Sequence, residues 1–222
     1  MARKFVKSKY AEGTVVIAEA QTQGKGRAGR TWHSPQGGLY MTAILEPTRN
    51  TGLIPLMAGV AVAETIKYEL GLEALLKWPN DILIDCKKLG GVLVESAWSR
   101  GKAKNILLGV GINVNNRLPP ELPEATSLSS EFSENVSLDQ FTNALLEGLS
   151  QRIKLLEKKS EDLIQAWRSM ASTLSKPVEV IFDSGDSVRG IAVDLDGEGA
   201  LLVKTALGVK RIVSGSIRER YC

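Results

Sequence analysis

The chain has 222 residues, 43% hydrophobic and 24% charged, with a formal net charge of only +3, which supplies material for a real core and argues against a disordered chain or a long nucleic-acid track. Its first 30 residues hold seven Lys/Arg against Glu12 and Glu19, an excess of five, so the remainder is net −2 and the positive field is local, as suits a small anionic ligand. No apolar run reaches the length of a membrane span and MARKFVKSKY lacks the apolar core of a secretory signal, so the expected location is the cytoplasm.

Phe5, Val6 and Tyr10 among lysines predict the end of an amphipathic helix, stopped at Glu12-Gly13. The β-branched run Thr14-Val15-Val16-Ile17 predicts a strand over 13–19. It opens into AEAQTQGKGRAGRTW, residues 18–32, where Gly24, Gly26 and Gly29 alternate with Lys25, Arg27 and Arg30. Glycine admits close approaches that a Cβ forbids, and interleaved cations with exposed amides can surround a phosphate or carboxylate. This is not the strand-GxGxxG-helix fingerprint, because Trp32, His33, Ser34 and Pro35 follow and no helix opens. The glycine spacing alone fits a flexible basic surface loop equally well.

Gly37-Gly38 leads into a strand over 39–45, LYMTAIL. From 53 to 70, Leu56, Val60, Ala63, Ile66 and Leu70 recur at helical spacing with Glu64, Lys67 and Glu69 off the stripe, which predicts an amphipathic helix. In LLKWPNDILI, residues 75–84, Pro79 and Asn80 interrupt two short strand-like runs. Asp85-Cys86-Lys87-Lys88 reads as a hairpin turn between that block and a strand over 89–95. A further strand over 105–113 follows a turn at Arg100-Gly101. Glycines 90, 91, 109 and 111 weaken these two strands, and four of them in neighbouring strands favour the close approach of a ligand. Cys86 and Cys222 have no CxxC spacing and no histidine-rich partner region, so both read as reduced thiols.

Residues 114–135 form the longest irregular stretch, and loops of that length are usually functional or disordered. Helical spacing resumes at Leu138, Phe141, Leu145, Leu149, Ile153 and Leu156, and again at Leu163, Ala166, Trp167 and Met170. Beyond Lys176-Pro177 the period changes to alternation in four short runs separated by Asp/Gly turns, which predicts a small β-barrel or sandwich and a boundary near 175.

Lys77, at the end of an apolar run and before a Trp-Pro turn, is placed to neutralise charge developing on a phosphoryl group, though an ordinary strand-end lysine is the blander alternative. Asp81 could orient Lys77 or help hold magnesium; with Asn80 it could equally be a turn former. Trp32 can wall a ring-shaped ligand or anchor its loop in the core. Asn113 can bond a base or phosphate, or cap a strand. His33, the only histidine, is expected at the surface.

Together, AEAQTQGKGRAGRTW, GGLYMTAIL, KWPNDILI, KKLGGVLVE, LLGVGINVN and the LPEATSL loop, in this order and followed by a small β-domain, resemble the biotin protein ligase family over almost the whole chain. The resemblance implies an α+β fold: a class II aminoacyl-tRNA synthetase-like mixed sheet with helices over 1–174, then a small SH3-like β-barrel over 175–222. It implies activation of biotin with ATP and Mg²⁺ to biotinyl-5′-AMP and transfer to a lysine of a biotin carboxyl carrier protein. Lys77 and Arg27 would be the catalytic pair. Gln21, Gly24, Lys25, Gly26, Arg27, Lys77, Gly91, Gly109 and Gly111 would bind biotin, and Arg27, Arg30, Trp32, Lys77 and Asn113 the nucleotide. Lys25 stands where arginine is more usual, which keeps the charge but loses bidentate geometry.

The resemblance also implies a form without the N-terminal DNA-binding domain, with no DNA or membrane partner and a possible homodimer. The Ser/Thr-Thr-Asn motif that precedes the basic loop in the family is not found before it here. That leaves two alternatives, a lipoate-type ligase on the same fold and a binder of biotin or biotinyl-AMP with impaired transfer.

Overall fold

A computed structural model describes residues 12–99, 102–156, 158 and 160–218. The expected helix end in residues 1–11, the turn at Arg100-Gly101, and Cys222 lie outside them.

Alternating apolar residues build the first sheet. Strands β1 (Val15–Ala18), β2 (Leu39–Leu45), β3 (Leu75–Lys77), β4 (Asp81–Ile84), β5 (Lys87–Ser99) and β6 (Lys102–Ile112) are arranged in the order β1-β2-β6-β5-β4-β3. Each ladder in it is antiparallel. Among the described residues parallel pairing is confined to isolated bridges, Leu76 with Ala171 and Lys88 with Ala125. The expectation of a mixed sheet is therefore corrected, for the reason that β3 to β6 follow one another through short reversals, which impose antiparallel pairing.

Helix α1 (Ile54–Leu70) crosses one face of this sheet, covering Met41, Val92, Leu108, Val110 and Ile112. Pro55 occupies its first turn, where no intrahelical N–H is needed, and Gly71 ends it at φ +67 with its N–H on the Lys67 carbonyl at 3.0 Å. The expected single stripe understates its burial. Met57, Ala58, Gly59, Ala61 and Val62 are buried as well, because α3 (Leu138–Leu155) and α4 (Ser160–Ser169) pack on the side away from the sheet. A helix covered on both sides loses its amphipathic signature. The long irregular stretch contains a short helix, α2 (Leu128–Phe132), capped by Ser127 Oγ accepting from the Ser130 N–H at 3.3 Å.

The second sheet is antiparallel, with strand order β10-β9-β8-β7-β11, formed by β7 (Pro177–Ile181), β8 (Ser187–Leu195), β9 (Leu201–Thr205), β10 (Gly208–Ile212) and β11 (Ser216–Arg218). Its last strand is one more than the four runs visible in the sequence. Trp78, 2% exposed, ties the sheets together by donating from Nε1 to the Gly199 carbonyl at 3.0 Å. Arg168 of α4 adds a fork, Nε and Nη2 on the two carboxylate oxygens of Asp194 at 2.7 and 3.2 Å. Cys86, in the exposed β4–β5 turn at φ +67, is disulfide-bonded and not the reduced thiol expected; an exposed turn leaves its sulfur accessible to a partner.

Candidate functional site

Residues directly opposite in antiparallel strands project to the same face, and the register draws one transverse row across the first sheet: Lys77, Asp81, Gly91, Gly111, Tyr40 and Ala18. The neighbouring row on that face is Leu93, Gly109, Thr42 and Val16. Their alternates, Ile82, Val92, Val110 and Met41, point into the core beneath α1. Gly91, Gly109 and Gly111 thus add no side chain of their own to the face opposite the helix, with Lys77 at the end of the first row.

The basic loop is the roof over this face. It folds on itself through Gly26 N–H on the Arg30 carbonyl at 2.7 Å, Trp32 N–H on the Gly24 carbonyl at 2.9 Å, and Gln21 N–H on the Ser34 carbonyl at 3.0 Å. The Trp32 ring lies against Gly111, where a Cβ would come within 2.8 Å of the indole nitrogen, and a Cβ on Gly24 would meet the Trp32 carbonyl at 2.3 Å. Two of the predicted glycines are therefore required by the packing of the loop itself. Gly91 and Gly109 meet nothing nearer than 3.6 and 3.4 Å, so their openness is left for something else.

The loop's cations are aimed, not diffuse. Arg27, half-buried, donates from Nη1 to Asn80 Oδ1 and to the Gly215 carbonyl, each at 3.2 Å. Burial pulls its guanidinium below the ordinary arginine value; Asp81 and Asp183 oppose that displacement and Arg30 adds to it. Arg30 donates from Nη2 to Ser216 Oγ at 3.0 Å and from Nε to the Arg27 carbonyl at 3.3 Å. Outside the loop lies a cleft of about 790 Å³ lined by residues 22–31 with Leu93, Glu95, Asp183 and Ser216.

The remaining predicted residues divide. Gln21 sits at the loop's base with Oε1 accepting from Ser34 Oγ at 2.9 Å, Lys25 is exposed, and Gly26 lies in the roof. His33 is exposed, as expected. Asn113 is 3% exposed and its amide is committed elsewhere: Nδ2 donates to the Thr126 carbonyl at 3.0 Å and Oδ1 accepts from Asn116 Nδ2 at 3.1 Å. It works here as a staple of the loop after β6. Asp81 Oδ1 is bonded to Lys88 Nζ at 2.7 Å, and among the described residues no group of three His, Cys, Asp or Glu is placed to hold a metal.

Sequence reasoning missed Lys88, read as a turn residue, and Asp183, Gly215 and Ser216, which arrive from the second sheet. No local signal marks the last three. Lys88 had one, its place two residues before the glycine pair of KKLGG.

Comparison with known proteins places the chain in a family. Residues 2–113 match the model of the biotin/lipoate A/B protein ligase family, and residues 173–218 the biotin protein ligase C-terminal domain. The bifunctional ligase/repressor BirA of Bacillus subtilis is 35% identical over 97% of this chain and 69% of its own length. The biotin–[acetyl-CoA-carboxylase] ligase of Mycobacterium tuberculosis is 33% identical over 86% and 73%. Among solved structures, a biotin protein ligase from Aquifex aeolicus in complex with biotin and ATP superposes with a TM-score of 0.88 at 31% identity, covering 97% of this chain and 93% of that one. By its glycine-floored sheet, its arginine roof and these relatives, the chain belongs to the biotin protein ligases of the biotin/lipoate A/B protein ligase family.

Proposed function

We propose that the protein activates biotin with ATP and transfers the biotinyl group to a lysine of a carboxylase's biotin carrier domain. The observation that carries the reading is the convergence of Lys77 and the Arg27/Arg30 roof on a stretch of sheet floored by Gly91 and Gly109. A flat fused ring can lie on such a floor, and its carboxylate and a nucleotide phosphate, which repel each other, both need cations at one end.

In the first step a biotin carboxylate oxygen attacks the α-phosphorus of ATP. A P–O bond forms, the bond to pyrophosphate breaks, and biotinyl-5′-AMP results. Lys77 contacts the carboxylate and the α-phosphate and takes up charge as it builds on the phosphoryl oxygens. Gln21 holds the ureido ring, with Gly91 and Gly109 as the floor and Gly111 seating Trp32 beside them. Gly24, Lys25 and Gly26 border the acyl tail, and Arg27 and Arg30 close over the phosphate. Trp32 walls the nucleotide, with Asn113 behind the wall. In the second step the neutral amine of the carrier lysine attacks the acyl carbon, AMP leaves, and the amine's proton passes to solvent.

Magnesium enters this scheme as part of the nucleotide substrate, held through phosphate oxygens, since the described residues offer no cage for it. We further read residues 1–174 as a class II synthetase-like catalytic unit and 175–222 as an SH3-like barrel. The separate matches at 2–113 and 173–218 support that division, as does the start of the second sheet at Pro177. Among the described residues no helix is long and apolar enough to cross a membrane, and we place the reaction in the cytoplasm. Sedimentation would decide between a monomer and the homodimer expected from the resemblance.

The test is to incubate the protein with ATP, Mg²⁺, labelled biotin or lipoate, and an apo carrier domain. Biotin label on the carrier is expected. Lipoate label would sink the assignment, and bound biotin without transfer would favour a binder.

A further inference from the structure

Lys88 brings a cation onto the glycine face that the scheme above does not use. Its main chain is fixed independently of its side chain: the N–H donates to the Glu124 carbonyl at 2.7 Å and the carbonyl accepts from the Thr126 N–H at 3.0 Å. From that anchor the side chain, 34% exposed, runs over the sheet, with Cε 3.8 Å from where a Gly91 Cβ would stand. Its Nζ is 2.7 Å from Asp81 Oδ1 and 5.6 Å from the centroid of the Trp32 ring.

Trp32 needs such support. Its indole nitrogen is buried against Gly111 and has no hydrogen-bond partner among the described residues. An unsatisfied buried N–H opposes the position it occupies, so other contacts must hold the ring there. Packing on the bare glycine is one. The attraction of an ammonium to the ring's electron-rich face is the second, with Asp81 keeping the ammonium in place.

We propose that Lys88 is a positioning residue for the nucleotide half of the site, holding Trp32 over Gly111 so that the indole ring forms the wall the nucleotide meets. The inference rests on the ligase reading. It explains why a lysine stands at the edge of a glycine strip: a shorter residue could not reach the ring, and an apolar one would neither hold Asp81 nor attract the indole.

The experiment measures KM for ATP and for biotin from pyrophosphate release by the full chain with Mg²⁺. Lys88→Met, which keeps the stem and removes the charge, is expected to raise the ATP KM by roughly three- to thirtyfold and to leave the biotin KM unchanged. Lys88→Arg should restore most of the loss. In a Trp32→Leu background Lys88→Met should add nothing, because the partner through which it acts is gone. An unaltered ATP KM, an equal rise in both KM values, or an undiminished effect in the Trp32→Leu background would overturn the inference alone. Failure of the unsubstituted protein to release pyrophosphate would overturn the ligase reading as well.

Discussion

The guanidinium of Arg27 donates to the carbonyl oxygen of Gly215 at 3.2 Å, joining the first basic loop to the second sheet across 188 positions of the chain. Gly215 has φ +149, and a Cβ there would lie 2.6 Å from Val180 Cγ1, so the carbonyl is held in place by a turn that only glycine fits. The same nitrogen bonds Asn80. The roof is thus fastened both to the sheet it covers and to the second sheet.

Replacing Arg27 by Gly removes both fastenings and the cation proposed to close over the phosphate. We expect biotinyl-AMP to escape before transfer and to label lysines of bystander proteins. Mass spectrometry of a mixture of apo carrier and serum albumin would read it directly. A variant as selective as the parent would remove Arg27 from the role of retaining the intermediate.

Lys77 lies at the end of the row that carries Gly91 and Gly111, one residue beyond Leu76, which is 1% exposed and packs against Gly59 of α1. The strand is anchored through Leu76, whose N–H also donates to the Met170 carbonyl at 2.7 Å and whose carbonyl accepts from the Ser172 N–H at 2.9 Å. Lys77→Ala should lower the rate of adenylate formation by about a hundredfold or more, the scale of losing one electrostatic contact to a transition state. Its melting temperature should stay near the parent's. Undiminished pyrophosphate release would exclude Lys77 from the chemistry.

The alternating and helical periods were legible where one face is buried and the other wet, as in β7 and α3, because a period survives only there. It was blurred in α1, sandwiched between sheet and helices. The site was legible in its local part: the glycine-cation alternation of residues 24–30 and the strand-end position of Lys77 carry chemistry in the sequence itself. What could not be read was set by register and by distance along the chain. Lys88 looked like a turn residue until pairing brought its ammonium to Asp81 and Trp32, and Gly215 and Ser216 are separated from their arginines by most of the chain.

Asn113 is a residue whose type suits a ligand and whose amide also holds the interior together. Asn113→Ala would leave the Thr126 carbonyl and the Asn116 amide without partners in the interior. The expected loss is roughly 1–3 kcal/mol of stability, read as an earlier urea midpoint, with the ATP KM little altered at temperatures where the fold is intact. An unchanged midpoint with a raised KM would return Asn113 to the nucleotide pocket.

Tyr40 stands on the same transverse row as Gly111, 2% exposed, with its hydroxyl donating to the Pro35 carbonyl at 2.8 Å. Burial disfavours the phenolate and pushes the group up to about 12, whereas an unfolded chain releases that proton near pH ~10. Between these values the folded state binds more protons than the unfolded one, so stability falls as pH rises. The contribution is whole below the unfolded value and is lost as pH climbs through the folded one, about two units at roughly 1.4 kcal/mol each. Tyr40→Phe should cost about 1 kcal/mol near neutrality, where the hydrogen bond is lost, yet be the more stable protein in strong alkali. Urea unfolding of the two proteins across that range should give curves that cross, and parallel curves would show that the Tyr40 phenol does not titrate with the fold.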